Sequence, residues 1–355
     1  MAKTLAQLLD DLEPAARRAF YAAVRAIRSD ITLARVEAAL ARGDIPGALD
    51  ALNLEASFFR PLDDMLRQAV LQGGDHAFEE LVKLTPRNTV LGRFDASNPR
   101  AVDVLARFSA DRVVEITEAT REGLRTALAS AMETDASPRS VALDIVGRLN
   151  RSTGRREGGM IGLNSQRIEW LQSAQSELRS GDPAQMRNYL TRKSRDRRFD
   201  GAVRRAIRAG KPVPSEVRGR IERAMASRLL RDRGEAIART ELLGSLHAGQ
   251  DEGLRQAIAK GQLQADQVTV EWDASADKFT RLSHRAMDGE RRPYGQPFVS
   301  PITGAMLRYP GDTGLGAPAA EVINCRCHLR IRVDKITGLR NRLTAEELAE
   351  VRAAM

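Results

Sequence analysis

Three of the chain's four histidines and both of its cysteines fall in the last third of its 355 residues. His284 stands in Phe279-Thr-Arg-Leu-Ser-His284, and the cysteines stand in Asn324-Cys325-Arg326-Cys327-His328. Thiolate sulfur and imidazole nitrogen are the donors zinc takes in closed tetrahedral sites. Zinc is therefore the cofactor these residues suggest, with His284, Cys325 and Cys327 as ligands and His328 as the fourth candidate. Asp277 and Asp288 are alternatives for that fourth place. The competing reading is two small buried thiols beside a hydrogen-bonded core histidine. Strand alternation puts His328 on the face opposite Leu329, which on that reading leaves it exposed. A disulfide across one intervening residue would be strained, so oxidation is not the expected use of the pair. Among the remaining polar residues, Arg239 and Glu241 read either as an anchoring pair for the segment downstream or as a plain surface turn. His247 with Asp251 reads as local i,i+4 support, and His76 as exposed. No serine-histidine-aspartate elbow, His-Glu-x-x-His motif or paired carboxylates stand out, so no catalytic residue is assigned and the expectation is a non-enzyme.

The elements that must position these groups follow from periodicity. Residues 4–84 read as short amphipathic helices, with turn signals at Gly43-Asp44, Pro61, Gly73-Gly74 and Pro86. A longer helix is expected from Pro99 to Met132, and another after Ser137-Pro138. The run Gly158-Gly-Met-Ile-Gly162-Leu-Asn164-Ser165 reads as a glycine-rich loop closed by Asn164 or Ser165 as helix N-cap. It lacks the Gly-Lys-Ser/Thr ending of a phosphate-binding loop. Residues 215–260 are helical again, with Gly234 and Gly244 as breaks. Val268, Val270 and Trp272 alternate with polar residues, as do Leu329, Ile331 and Val333, and two such strands should pair. Between them, residues 273–321 hold five Pro and six Gly. The fold class is thus mainly α: a multi-helix body with a small, loop-rich α+β unit at the C-terminal end. The expected division is a helical domain over 1–150, a helical basic region over 151–260 and the α+β unit with its metal site over 261–335. A C-terminal helix over 336–355 is opened by Thr344 with Glu347 as its capping box. So loop-rich a unit has a modest apolar inventory, and a structural zinc would supply the missing stability.

Composition sets the wider limits. The net charge of +9 is uneven: Met186–Thr240 carry 17 Lys and Arg against 6 Asp and Glu. Arg192, Lys193, Arg195, Arg197 and Arg198 are the core of that block. It suits phosphates or an acidic protein face, the bland alternative being a solvated helix. With only Tyr189 and Phe199 interleaved, base stacking is not expected. No apolar run reaches the length a bilayer requires, and Asp10, Asp11 and Glu13 interrupt the N-terminus before a signal-type core develops. A soluble protein made in a reducing compartment is expected.

Taken in order, several of these strings resemble the phage Mu F-like head-morphogenesis family. They are Gly158-Gly-Met-Ile-Gly-Leu-Asn-Ser-Gln166, Tyr189-Leu-Thr-Arg-Lys193, Ile237-Ala-Arg-Thr-Glu241 and His247-Ala-Gly-Gln250. Trp272, Asp277, Arg281, His284, Asp288-Gly289, Pro310-Gly-Asp312 and Asn324-Cys-Arg-Cys327 complete the series. The resemblance runs from about Val141 to Val333. It implies a minor structural protein of the virion head, made in the host cytoplasm and placed at the portal vertex or capsid interior. The implied partners are portal, capsid and scaffold proteins, with packaged DNA near the basic block and no membrane. Related domains in toxins carry a C-terminal effector, for which the twenty-odd residues after the last strand leave no room. The rival readings are a metal-dependent nuclease, built on His284, Asn324 and His328, and a DNA-binding accessory factor. Against the first, thiolate ligation of a catalytic metal is unusual in phosphodiester chemistry; against the second, no groove-reading helix motif is present.

Overall fold

The computed structural model describes residues 3–85, 91–133 and 136–334, the side chains of 107–109 excepted. The capping box expected at Thr344 and Glu347, and the helix it would open, lie outside the described residues. Helices α1 (Leu5–Asp30), α2 (Leu33–Ala41), α3 (Ile45–Ala51), α4 (Arg60–Leu84), α5 (Pro99–Met132) and α6 (Pro138–Val146) come first. A hairpin of β1 (Arg148–Asn150) and β2 (Arg155–Glu157) follows, then α7 (Ser165–Arg179), α8 (Pro183–Thr191), α9 (Asp200–Ala209) and α10 (Ser215–Ala259). The last part holds β3 (Val268–Asp273), α11 (Leu282–Ala286), β4 (Arg291–Pro293), β5 (Phe298–Val299), β6 (Met306–Leu307), α12 (Ala319–Val322) and β7 (His328–Val333). The protein is mainly α, with small antiparallel sheets toward its C-terminal end. The chain forms two compact units, each assembled from separated stretches. One combines Met1–Arg17, Leu62–Asp111 and Ala236–Met355; the other combines Arg18–Pro61 and Arg112–Glu235.

In the second of these, Phe20 and Phe59 meet at 5.9 Å within a core that includes Val24, Leu124, Leu128, Ile161 and Leu229. The glycine-rich loop is part of that core. Gly158, Gly159 and Gly162 hold positive φ, a region other residues enter only with strain. A Cβ at Gly162 would stand 2.8 Å from the side chains of both Leu230 and Val24. Two buried guanidiniums clamp the loop's carbonyls: Arg28 donates to Ile161 at 2.8 Å and Arg233 to Gly162 at 2.9 Å. Arg233 also reaches Thr120 Oγ1 and the Ile116 carbonyl. Asn164 then caps α7, accepting from the Arg167 N–H.

The other unit turns on the crossing of α4 with the 236–259 part of α10. Gly73 and Gly74 do not make a turn, and α4 is continuous through them. They are there because no side chain fits. A Cβ on Gly73 would fall 2.0 Å from the Leu246 carbonyl oxygen, and one on Gly249 would fall 1.9 Å from that of Val70. Gly244 likewise does not break α10, which runs unbroken for 45 residues through both Gly234 and Gly244. A Cβ on Gly311, in the Pro310-Gly-Asp312 turn, would sit 3.4 Å from the Gly244 backbone. The expectation of short helices also fails at α1 and α4, which run 26 and 25 residues. At Gly73, Gly234 and Gly244 a residue with high turn propensity serves packing, which local sequence does not distinguish.

The three-stranded sheet has the order β4-β3-β7, antiparallel throughout, with Trp272 opposite Leu329. Trp272, Phe298, Met287 and Leu307 are fully buried around it. β7 is an edge strand, and α10 closes the edge. The Leu329 N–H donates to His247 Nε2 at 3.1 Å, while Gln250 Nε2 donates to the Leu329 carbonyl at 3.5 Å. The described part of the 261–335 segment therefore docks on α10, and this docking answers part of the stability shortage for which zinc was invoked.

Candidate metal centre

His284 sits on the short α11, its ring edge-on to Trp272 at 5.1 Å, and is 1% exposed. Cys325 and Cys327 occupy the turn between α12 and β7. Asn324 enters that turn at φ 57, in the left-handed region, and its N–H donates to Thr240 Oγ1 of α10 at 2.9 Å. Through this turn both thiols meet one nitrogen: His284 Nδ1 lies 3.5 Å from Cys325 Sγ and 3.4 Å from Cys327 Sγ. Both cysteines are free and buried. With zinc–nitrogen and zinc–sulfur bonds of ordinary length at tetrahedral angles, a nitrogen and a sulfur ligand stand roughly 3.6 Å apart. The observed separations match that edge, and match thiol-to-imidazole hydrogen bonds equally well. His284, Cys325 and Cys327 can thus hold a metal, their ligand atoms all within 4.8 Å of one another.

On the far side of the ring, His284 Nε2 lies 3.0 Å from Glu321 Oε2, off the line of its N–H. Glu321 is 1% exposed, and it also accepts from Ser283 Oγ at 2.9 Å and Thr303 Oγ1 at 2.6 Å. Burial pushes its carboxyl pKa up, but those hydroxyls and the His284 ring together hold it below the ordinary range. A carboxylate behind a ligating histidine is the usual way a metal site fixes tautomer and ring orientation. Sequence reading missed Glu321. Its one signal was being the sole acidic residue between Asp312 and Cys327. The two thiols titrate together. The hydrogen bond from Cys325 draws the Cys327 pKa down to about 5, against its burial and with help from His284. Cys325 is pushed up, first by Cys327 and then by burial.

The other candidates lie elsewhere. His328 is half-buried and not in this group; its ring stands 6.1 Å from that of His247. Asp277 is taken up with Thr280, the Phe279 N–H and Arg326, and Asp288 accepts from the Ala274 N–H. His247 does more than the local support expected of it, since its neutral ring holds the β7 edge and Asp251 instead meets Arg255 and Tyr294. His76 is buried, 3.5 Å from Glu80, not exposed. Of the Arg239 and Glu241 pair, Arg239 is committed to Glu13 of α1 at 2.5 Å. Its neighbour Thr240 makes the contact with the downstream turn.

The basic block divides in two. Arg192 embraces Glu177 through Nε and Nη2, and Arg195 grips Asp200. Arg198 is exposed and paired with Asp196. Lys193 and Arg197 are exposed.

No curated protein and no solved structure matches the chain. The family described as Phage Mu protein F like protein matches residues 198–330, a stretch that begins at the last arginine of the basic block and holds the whole His284, Glu321, Cys325 and Cys327 cluster. Over that stretch the chain is similar to the phage Mu F-like family.

Proposed function

We propose that this is a minor head protein of a Mu-like tailed phage or prophage, a structural component of the virion that acts in head morphogenesis. It joins portal, capsid or scaffold proteins at the portal vertex or capsid interior after synthesis in the host cytoplasm. The family match over residues 198–330 carries this reading. The strings Gly158–Gln166 and Tyr189–Lys193 lie ahead of the matched stretch and lend it further support. Among the described residues no helix is long and apolar enough to cross a membrane. The residues invoked for a nuclease give that alternative no support. His284 is 1% exposed, with its two nitrogens facing two thiols and a carboxylate. Zinc bound by His284 Nδ1 and the sulfurs of Cys325 and Cys327 completes the proposal, as a structural ion fixing the turn before β7.

The test is deletion of the gene from the phage or prophage that encodes it. The expected outcome is malformed, unstable or non-infectious heads with undiminished replication of phage DNA. Normal titres of infectious particles from the deletion would reject the assignment.

A further inference from the structure

α1 and the β1–β2 hairpin, within one compact unit, border a cavity of about 450 Å³. Arg25, Arg28, Arg155 and Arg156 line it, with Ser29 and Leu149 among the remaining wall residues and no acidic side chain. Arg25 and Arg28 are one turn apart on α1 and so share a face. None of the four arginines has a carboxylate partner among the described residues. Arg156 donates to the Gly147 carbonyl at 3.1 Å, and Arg28 spends Nη2 on the Ile161 carbonyl. Arg28 is the informative one. It is 8% exposed, its Nε is buried without a hydrogen-bond partner, and burial lowers its pKa to about 10 with no counter-charge opposing the shift. It still carries its proton at neutral pH. A buried, uncompensated guanidinium beside three more is costly, and an anion in the cavity removes that cost.

The donors indicate which anion. A carboxylate offers one charge and two oxygens, too few for four guanidiniums. A phosphate offers up to two charges and oxygens on every side, and guanidinium forks match its geometry. We propose that this cavity is a phosphate-binding site, with Arg28 at its base and Arg25 and Arg155 at its rim. The volume exceeds that of a bare oxyanion, so the phosphate is either free and hydrated or part of a DNA backbone. The inference does not depend on the metal centre or on the virion assignment.

Titration calorimetry of the full chain with inorganic phosphate, at constant ionic strength set with chloride, tests it. Arg28 also clamps the glycine-rich loop, so the informative variants are Arg25→Ala, Arg155→Ala and their combination, at exposed positions. Expected is saturable phosphate binding that weakens by about tenfold or more in the double variant, the loss of at least one charge-assisted contact. The melting temperature without phosphate should stay unchanged. Adding a short DNA duplex then separates the sources: displacement of phosphate assigns the site to a backbone phosphate, and retention assigns it to a free one, either result upholding the site. No phosphate heat beyond the chloride control, or equal affinity in the double variant and the wild type, overturns it.

Discussion

Glu321 decides how His284 can be used. With a carboxylate 3.0 Å from Nε2, the proton of a neutral ring belongs on that nitrogen, and the Nδ1 lone pair faces the two sulfurs. A metal ion takes that lone pair directly, whereas without one the ring shares a proton with the Cys327 sulfur, so composition of the purified protein distinguishes them. We expect about one equivalent of zinc per chain by elemental analysis. Cys325→Ser and Cys327→Ser should lose it and melt at lower temperature. Glu321→Gln should retain zinc with an affinity weakened by about ten- to a hundredfold. A metal-free protein from chelator-free purification, melting unchanged in the presence of a chelator, would leave the thiols as core residues. The sequence displayed the three candidate ligands plainly, because cysteine and histidine are scarce here. It hid Glu321, since one glutamate among 47 acidic residues carries no mark of the ring it will support. Strand alternation correctly set His328 apart from Leu329, and the structure turns it toward His247.

The paired elements β7 and α10 show which parts of a fold periodicity reveals. The long helix from Pro99 to Met132, the N-cap at Asn164 or Ser165 and the alternation of β3 and β7 were all readable, because each pattern is carried by neighbours in sequence. The α4–α10 crossing was not. Gly73-Gly74 gave the signal of a turn and Gly249 gave none, whereas Gly73 and Gly249 let two helices touch backbone to backbone. Gly249→Ala should therefore destabilise the protein by about 3 kcal/mol, the upper end of overpacking costs. A negligible change in chemical denaturation, or the gain of about 1 kcal/mol that Gly→Ala ordinarily brings in a helix, would mean the crossing is looser than described. His247 predicts a pH effect. Burial, then His328, lowers its pKa from 6.5 to about 3, so the folded protein holds the ring neutral while the unfolded chain protonates it. Its contribution is complete above pH 6.5 and falls as the pH drops toward 3, by about 1.4 kcal/mol per unit between roughly pH 6 and 4. Comparing denaturation at pH 7, 6 and 5 with that of His247→Gln should show a flatter dependence in the variant. Parallel dependences would exclude the neutral-ring role.

The family match covers residues 198–330, while the compact unit that holds β3 and β7 also draws on Met1–Arg17 and Leu62–Asp111. Expressed alone, the 198–330 fragment would lack the helix that meets Gly249, and we expect it to bind a hydrophobic dye and give no cooperative melt. A sharp melt from the fragment would show that the matched stretch is self-sufficient. The block at 192–198 has its own test. Arg192 and Arg195 are committed to Glu177 and Asp200, so DNA retention, if this surface meets phosphates, falls to Lys193, Arg197 and Arg198. Replacing those three with alanine should cut the slope of log affinity against log salt by about 2 to 3 without changing stability. An unchanged slope would mark a solvated face. The glycine crossing has one more consequence, and it is mechanical. Where helices meet through long side chains, they can slide against each other as rotamers readjust. At Gly73 and Gly249 the contact is main chain against main chain, so displacing α4 along α10 by one residue would drive a Cβ into a carbonyl oxygen. That joint resists shear along its axis while keeping some freedom to rock about the contact point. The head-assembly role proposed above, in which a component must keep its shape while a particle is built around it, would be well served by such a joint.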